Sequence, residues 1–99
     1  IINLMTATLE NLFQIIQERK NANPQMSYTA KLFSKGRNKI AQKVGEEGVE
    51  VVIAALSEGN ERLVEESADL LYNLLVLLAD CGVDLNDVEQ ELEKRMKAK

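Results

Sequence analysis

The chain has 99 residues, of which 45% are hydrophobic, and this is enough for one small domain but not for two. Its net charge of -4 argues against a general nucleic-acid binder, because such proteins depend on clustered positive charge. The absence of histidine excludes histidine general bases and the histidine-containing zinc and di-iron sites.

The single cysteine, Cys81, excludes an internal disulfide, and a reducing cytoplasm is the expected compartment. Because Cys81 follows an apolar helical stretch, we expect a buried, inert thiol. No signal peptide is evident, and the longest apolar run, Leu70 to Ala79, is too short to span a bilayer. We therefore expect no membrane partner.

The first predicted helix follows Thr8, which is a favourable N-cap with Glu10 in the first turn. We accordingly assign residues 1–7 to an N-terminal tail or remnant and residues 8–99 to the domain. The helix ends before Pro24, which restricts the residue preceding it. Apolar residues recur along this helix at the spacing of one face: Leu9, Leu12, Phe13 and Ile16.

Two further helices are predicted before the middle of the chain. Ser27 can cap a short helix over Tyr28 to Ser34, and Gly36 suits the left-handed turn after it. The next helix runs from about Asn38 to Ser57. Five basic residues lie in this region with no acidic residue among them: Lys31, Lys35, Arg37, Lys39 and Lys43. They form either a solvated surface or an anion-binding site.

Two glycines, Gly45 and Gly48, lie inside the third predicted helix, although each costs about 1 kcal/mol relative to Ala. We interpret the helix as continuous, because the apolar pattern resumes in phase beyond them. The close approach of another helix or of a ligand would explain why both glycines flank Glu46 and Glu47.

A short turn over Glu58 to Asn60 makes the third and fourth helices antiparallel neighbours, with Asn60 as the predicted cap. The fourth helix runs to about Cys81, and its second half is apolar nearly all round, so it needs cover on every side. The other helices of so small a chain do not supply that cover. We therefore expect a homodimer or a higher homo-oligomer.

The last predicted helix begins after Asp84, a favourable N-cap. It carries a narrow apolar stripe formed by Leu85, Val88, Leu92 and Met96. No strand pattern and no internal repeat interrupts these helices. The predicted fold class is therefore all-α, an antiparallel bundle of four to five helices completed by homodimerisation.

Acidic residues recur in the same spacing on the third and fourth helices. Glu47 and Glu50 share one helix face, and so do Glu66 and Asp69. Carboxylates stacked in this way repel each other unless a cation, basic side chains or water lies between them. With no nitrogen or sulfur ligand beside them, they suit a hard cation, Mg²⁺ or Mn²⁺ as a substitute, and hence a phosphate substrate. A merely solvated acidic face is the alternative.

These motifs resemble those of the all-α nucleoside triphosphate pyrophosphohydrolases, the MazG-type superfamily. Within it, residues 8–96 are similar to the phosphoribosyl-ATP pyrophosphohydrolase family. The segments that carry the resemblance are Ser27-Tyr28-Thr29, Gly36, Lys39 to Glu47, Glu50, and Glu66 to Tyr72. The resemblance implies an all-helical dimer or larger assembly that requires Mg²⁺. It also implies hydrolysis of phosphoribosyl-ATP to phosphoribosyl-AMP and pyrophosphate, the second step of histidine biosynthesis.

The resemblance further implies roles for individual residues. The implied metal ligands are Glu47, Glu50, Glu66 and Asp69. Glu46 is implied as a further ligand or, like Glu50, as a catalytic group that positions or deprotonates the attacking water. The implied substrate-binding residues are Tyr28, Thr29, Lys39, Lys43 and Asn73, with the two lysines on phosphates. Asn73 stands where the family has histidine, and we expect a tuned polar contact there, not a lost one.

Two other functions remain open from the sequence. A housecleaning pyrophosphohydrolase acting on non-standard nucleoside triphosphates shares the acidic residues and the fold. A non-catalytic helical interaction module would carry the same acidic face as a solvated surface. Mg²⁺ would leave the melting temperature of such a module unchanged, whereas a ligand of the folded state raises it.

Overall fold

The structure, a computed structural model, describes the backbone of residues 2–98 and the side chains of residues 7–98. The described residues form five α-helices and no strand, which confirms the all-α class. The helices are α1 (Ile2–Arg19), α2 (Tyr28–Ser34), α3 (Arg37–Ile53), α4 (Asn60–Asp80) and α5 (Leu85–Ala98). None of these helices combines the length and the apolar composition that a bilayer span requires.

The core is formed by side chains from all five helices. Its buried members are Phe13, Ile16, Leu32, Ile40, Leu75, Val76, Ala79 and Leu85. Each large aliphatic side chain buried in this way stabilises the fold by about 1.5–3 kcal/mol. Polar contacts fix the end of α4, where Lys20 Nζ donates to the Ala79 carbonyl (3.0 Å) and Arg37 Nε donates to Asp80 Oδ2 (2.9 Å).

The third helix, α3, runs without a break through Gly45 and Gly48, as predicted from the apolar pattern. A Cβ atom placed on either glycine would meet no described neighbour within 4 Å. The close approach of another helix of the same chain therefore does not explain these glycines.

A π-helical turn over Ala54–Glu58 connects α3 to α4. The α-helix therefore ends at Ile53, a few residues before the predicted end at Ser57. The hydroxyl of Ser57 donates to the Ile53 carbonyl (3.0 Å), and such a bond to the preceding turn accompanies local widening of a helix. The turn returns the chain so that α3 and α4 pack side by side as an antiparallel pair.

Two predicted helix starts are wrong. The first helix begins at Ile2 and not after Thr8, because no Gly or Pro interrupts residues 2–8 and Thr is tolerated inside a helix. Asn60 does not cap α4 but is its first residue, since Gly59 (φ 92°) reverses the chain one position earlier. The assignment of residues 1–7 to a tail, which lies partly outside the described side chains, stays a prediction.

Two predicted caps are confirmed. Ser27 Oγ accepts a hydrogen bond from the Ala30 backbone N–H (3.2 Å), which satisfies an otherwise unpaired donor at the start of α2. Asp84 Oδ1 accepts from the Asn86 backbone N–H (3.0 Å) just before α5. Gly36 and Gly82 both adopt positive φ angles, 91° and 72°, where the chain leaves α2 and α4.

The last helix, α5, is anchored at its first turn, where Leu85 is buried. Further along the predicted apolar stripe, Leu92 and Met96 are exposed. Cys81 is exposed as well, so the expectation of a buried thiol is wrong. The reason is that α4 ends at Asp80, so Cys81 is the capping residue after the helix, and Gly82 with its positive φ of 72° follows it directly.

Candidate active site

Three carboxylates, one on α3 and two on α4, converge in the groove between these helices. One oxygen from each of Glu47, Glu66 and Asp69 lies within 4.8 Å of the other two. Glu66 and Asp69 project from the same face of α4 because they are three residues apart. Glu66 is buried, Glu47 is half-buried and Asp69 is exposed, so the group is open to solvent on one side. We call these residues the carboxylate cluster.

The carboxylate cluster holds more negative charge than its surroundings offset. Burial, together with the negative charges of Asp69 and Glu66, raises the pKa of the Glu47 carboxyl, and only Lys43 acts in the opposite direction. The donors are all oxygen atoms, which is the preference of Mg²⁺ and other hard divalent cations. The residues present therefore fit such a cation by convergence, by charge and by donor type.

Arg62 supports the cluster and was missed in the sequence analysis. Its guanidinium donates to the buried Glu66 carboxylate one turn further along α4, and also to Glu65 Oε1 (2.5 Å). The arginine thus offsets part of the Glu66 charge and fixes the orientation of that carboxylate. The signal in the sequence was the i, i+4 spacing of Arg62 and Glu66, which places both on one helix face.

The two predicted catalytic acids, Glu46 and Glu50, lie outside the carboxylate cluster. Glu46 is exposed, and its carboxylate accepts a hydrogen bond from Gln42 Nε2 (2.9 Å), one turn earlier on α3. Glu50 is also exposed and lies one turn after Glu47 on the same helix face. Their roles in catalysis, and that of Glu50 as a metal ligand, stay predictions.

An aromatic pair lies beside the cluster and brings α2 against α4. The Tyr72 hydroxyl is 2.5 Å from Thr29 Oγ1, and the rings of Tyr28 and Tyr72 stack with their centroids 6.3 Å apart. Burial raises the pKa of the Tyr72 hydroxyl, although its bond to Thr29 lowers it. Tyr72 is one turn after Asp69, so the predicted substrate residues Tyr28 and Thr29 contact a residue that neighbours the cluster on α4. Tyr72 itself was not among the predicted site residues.

The remaining predicted substrate residues differ in their placement. Lys43 is half-buried and acts on the charge of Glu47, whereas Lys39 is exposed one turn earlier on α3. Asn73 is buried, and its Nδ2 donates to the Asp69 carbonyl (2.8 Å). Among the described side chains, Asn73 Oδ1 is a buried acceptor that has no hydrogen-bond partner. The side chain of Asn73 is therefore hydrogen-bonded to the backbone of a cluster residue, Asp69, through its nitrogen only.

Comparison with known proteins shows the family to which this sequence belongs. Residues 9–96 match the phosphoribosyl-ATP pyrophosphohydrolase family. The phosphoribosyl-ATP pyrophosphatase of Paramagnetospirillum magneticum is 62% identical over 87 residues, 88% of this chain and 80% of that protein. The protein of the same name from Metallosphaera sedula is 57% identical over 93 residues, 94% of this chain and 100% of that protein.

A longer relative also matches. The histidine biosynthesis bifunctional protein HisIE of Vibrio cholerae is 55% identical over 89 residues, which are 90% of this chain and 42% of that protein. The short and the long relatives thus each match most of this chain. The chain belongs to the phosphoribosyl-ATP pyrophosphohydrolase family.

Proposed function

We propose that this chain hydrolyses phosphoribosyl-ATP to phosphoribosyl-AMP and pyrophosphate, the second step of histidine biosynthesis. The names of its relatives and a family match over nearly the whole chain support this. The observation that carries the proposal is the convergence of Glu47, Glu66 and Asp69 in one groove. An interaction module with a solvated acidic face has no need to bring carboxylates together against their mutual repulsion.

We propose Mg²⁺, with Mn²⁺ as a substitute, as the cofactor of this reaction. The carboxylate cluster would hold it, and Glu50 is a further ligand in this proposal. The all-oxygen donor set and the negative charge around Glu47, which Lys43 offsets only in part, support the assignment. When bound, the cation supplies positive charge that stabilises the charge developing on the leaving pyrophosphate.

The protein's own side chains account for the remaining requirements of the reaction. Water is the nucleophile, and a carboxylate must position it or accept its proton. Glu46 and Glu50 are the proposed groups, and Glu46 also accepts a hydrogen bond from Gln42 Nε2. Lys43 and Lys39, one turn apart on α3, neutralise the outer phosphate oxygens.

We extend the proposal to a homodimer that completes the bundle. The radius of gyration is 14.6 Å, above the value of about 13 Å expected for a compact domain of this length. Large apolar side chains on α3, the π-helical turn and α4 are exposed: Val49, Val52, Ile53, Leu56, Val64 and Leu71. A second copy packed on this surface would bury them and would use the open space at Gly45 and Gly48.

Sedimentation of the purified chain at micromolar concentration tests the dimer. A dimer or larger assembly is the expected result, and a well-folded monomer would contradict this part of the proposal.

We place the reaction in the cytoplasm, since Cys81 is a free thiol and suits a reducing compartment.

The function is tested by measuring pyrophosphate release from phosphoribosyl-ATP, with and without Mg²⁺, beside a panel of ordinary and damaged nucleoside triphosphates. Fast, Mg²⁺-dependent release from phosphoribosyl-ATP alone is the expected result. Release only from the other triphosphates would move the protein to housecleaning hydrolysis. No release from any of them would contradict the enzymatic proposal and favour the interaction module.

A further inference from the structure

A cavity of about 650 Å³ lies where the loop after α1 meets the start of α2. Met26 and Tyr28 line it and are 85% and 59% exposed, which is high for side chains of this size. Lys31 is the one charged side chain among the described residues that line the cavity. The cavity thus offers apolar surface and a single ammonium group to a ligand.

Tyr28 links the cavity to Tyr72 of α4. That residue lines the cavity and also stacks on Tyr72, with the ring centroids 6.3 Å apart. Tyr72 follows Asp69 by one turn of α4, which corresponds to about 4.5 Å along the helix axis. Tyr28, Tyr72 and Asp69 thus form a series of residues that leads from the cavity to the carboxylate cluster.

The proposed substrate has two anionic ends. Phosphoribosyl-ATP carries the triphosphate that is cleaved and, on its adenine base, a ribose with its own phosphate. If the triphosphate lies at the carboxylate cluster, the base reaches the exposed aromatic surface of Tyr28. The phosphate of the second ribose then lies further out and needs a cation that the triphosphate does not already use.

Lys31 is the basic residue whose position meets that need. Among the described residues, no ion pair involves its side chain. By contrast, Arg37 is bound to Asp80, and Lys20 donates to a backbone carbonyl of α4. Lys35 is exposed one turn after Lys31 but does not line the cavity.

We propose that this cavity binds the phosphoribosyl group of the substrate, and that Lys31 selects phosphoribosyl-ATP over ATP by contacting the phosphate of that group. The inference rests on the proposed function. It adds a specificity-determining residue that lies apart from the carboxylate cluster and takes no part in the chemistry at the triphosphate. A loss of Lys31 therefore weakens binding of one end of the substrate and leaves the rate of cleavage unaffected.

The experiment compares the wild type with Lys31→Ala, with the matched control Lys35→Ala and with Lys31→Arg, which keeps the charge. Steady-state pyrophosphate release from phosphoribosyl-ATP gives KM and kcat, and inhibition by phosphoribosyl-AMP and by AMP isolates the contribution of the phosphoribosyl group. Circular dichroism verifies that each variant is folded.

In Lys31→Ala we expect KM to rise about 10- to 100-fold, the effect of losing one charge-assisted hydrogen bond, with kcat close to that of the wild type. Inhibition by phosphoribosyl-AMP weakens by a similar factor, whereas inhibition by AMP stays as it is in the wild type. Lys35→Ala changes neither, and Lys31→Arg recovers most of the loss.

An unchanged KM in Lys31→Ala, or an equal loss of inhibition by AMP and by phosphoribosyl-AMP, would overturn the inference. These outcomes leave the proposed function standing, because the wild type still turns over its substrate. A wild type that releases no pyrophosphate from phosphoribosyl-ATP would instead overturn the proposed function and the inference together.

Discussion

The helices α4 and α5 both carry glutamates paired with an arginine one turn away, but their surroundings differ. Arg62 pairs with Glu66 on α4, and Arg95 Nε donates to Glu91 Oε2 (3.0 Å) on α5. The Glu66 side chain is 8% exposed and faces Glu47 of α3, whereas the Glu91 side chain is 51% exposed. Acidic spacing on one helix is therefore a weak indication of a site. The informative feature is a second helix that buries one carboxylate and brings another to it.

The largest expected difference between the two helices is in catalysis. Asp69→Asn removes a charge from the carboxylate cluster, and we expect kcat to fall about 10³-fold or more. Glu91→Gln removes one carboxylate charge from α5 and should leave kcat unchanged. Pyrophosphate release from phosphoribosyl-ATP measures both, with helical circular dichroism as the check on folding. Near-normal turnover by Asp69→Asn would show that the cluster is not the catalytic centre.

Thermal unfolding with and without Mg²⁺ tests whether the carboxylates on α3 and α4 bind a cation that those on α5 do not. At a Mg²⁺ concentration of 100 times Kd, the melting temperature of the wild type should rise on the order of 10 °C. In Glu47→Gln this response should be largely lost. Without Mg²⁺, however, the variant should melt above the wild type, because a carboxylate crowded by Asp69 and Glu66 has been neutralised.

Glu91→Gln is again the matched control for these melting curves and should respond to Mg²⁺ as the wild type does. If Mg²⁺ raised the melting temperature of Glu47→Gln by the full amount, the cation would have to bind elsewhere on the chain. If Mg²⁺ had no effect on the wild type, the solvated-face interpretation would be favoured.

The two arginines provide a smaller contrast in stability. Arg62→Gln leaves the buried Glu66 carboxylate without its partner and should lower the free energy of unfolding more than Arg95→Gln does in the absence of metal. Arg95→Gln removes an exposed pair and should cost no more than about 0.5 kcal/mol. Urea unfolding of both variants decides this, and equal losses would mean that the burial of Glu66 has no energetic consequence.

The aromatic pair tests the contribution of a single hydrogen bond to stability. Tyr72→Phe keeps the ring that stacks on Tyr28 but loses the hydrogen bond to Thr29, so the free energy of unfolding should fall by about 1 kcal/mol. Thr29→Val should cost a similar amount, and the double variant should cost little more than either. Full additivity in this cycle would mean that the two hydroxyls do not stabilise each other.

Helical periodicity accounts for what could be predicted about the fold. The 3.6-residue pattern identified α2 over the observed range, the unbroken α3 and the antiparallel partner α4. The same periodicity placed Glu47 on one face with Glu50 and Glu66 on one face with Asp69, and the structure brings Glu47, Glu66 and Asp69 together. These features depend on local sequence and on one short connection, which is why a single sequence was enough.

Other features depend on how the helices pack, and the sequence did not reveal them. Whether Glu46 or Glu47 points into the groove depends on the rotation of α3 about its axis. The contact between Thr29 and Tyr72 joins residues 43 positions apart, so it cannot be predicted from the spacing of residues within one helix. The exposure of Cys81 likewise follows from where α4 ends and not from the apolar run before it.

The position of the divalent cation is the central claim, and anomalous diffraction from a crystal of the chain soaked in Mn²⁺ tests it most directly. We predict an anomalous peak within bonding distance of carboxylate oxygens of Glu47, Glu66 and Asp69. A well-ordered groove without a peak, or a peak only at other carboxylates such as Glu91 on α5, would contradict the account.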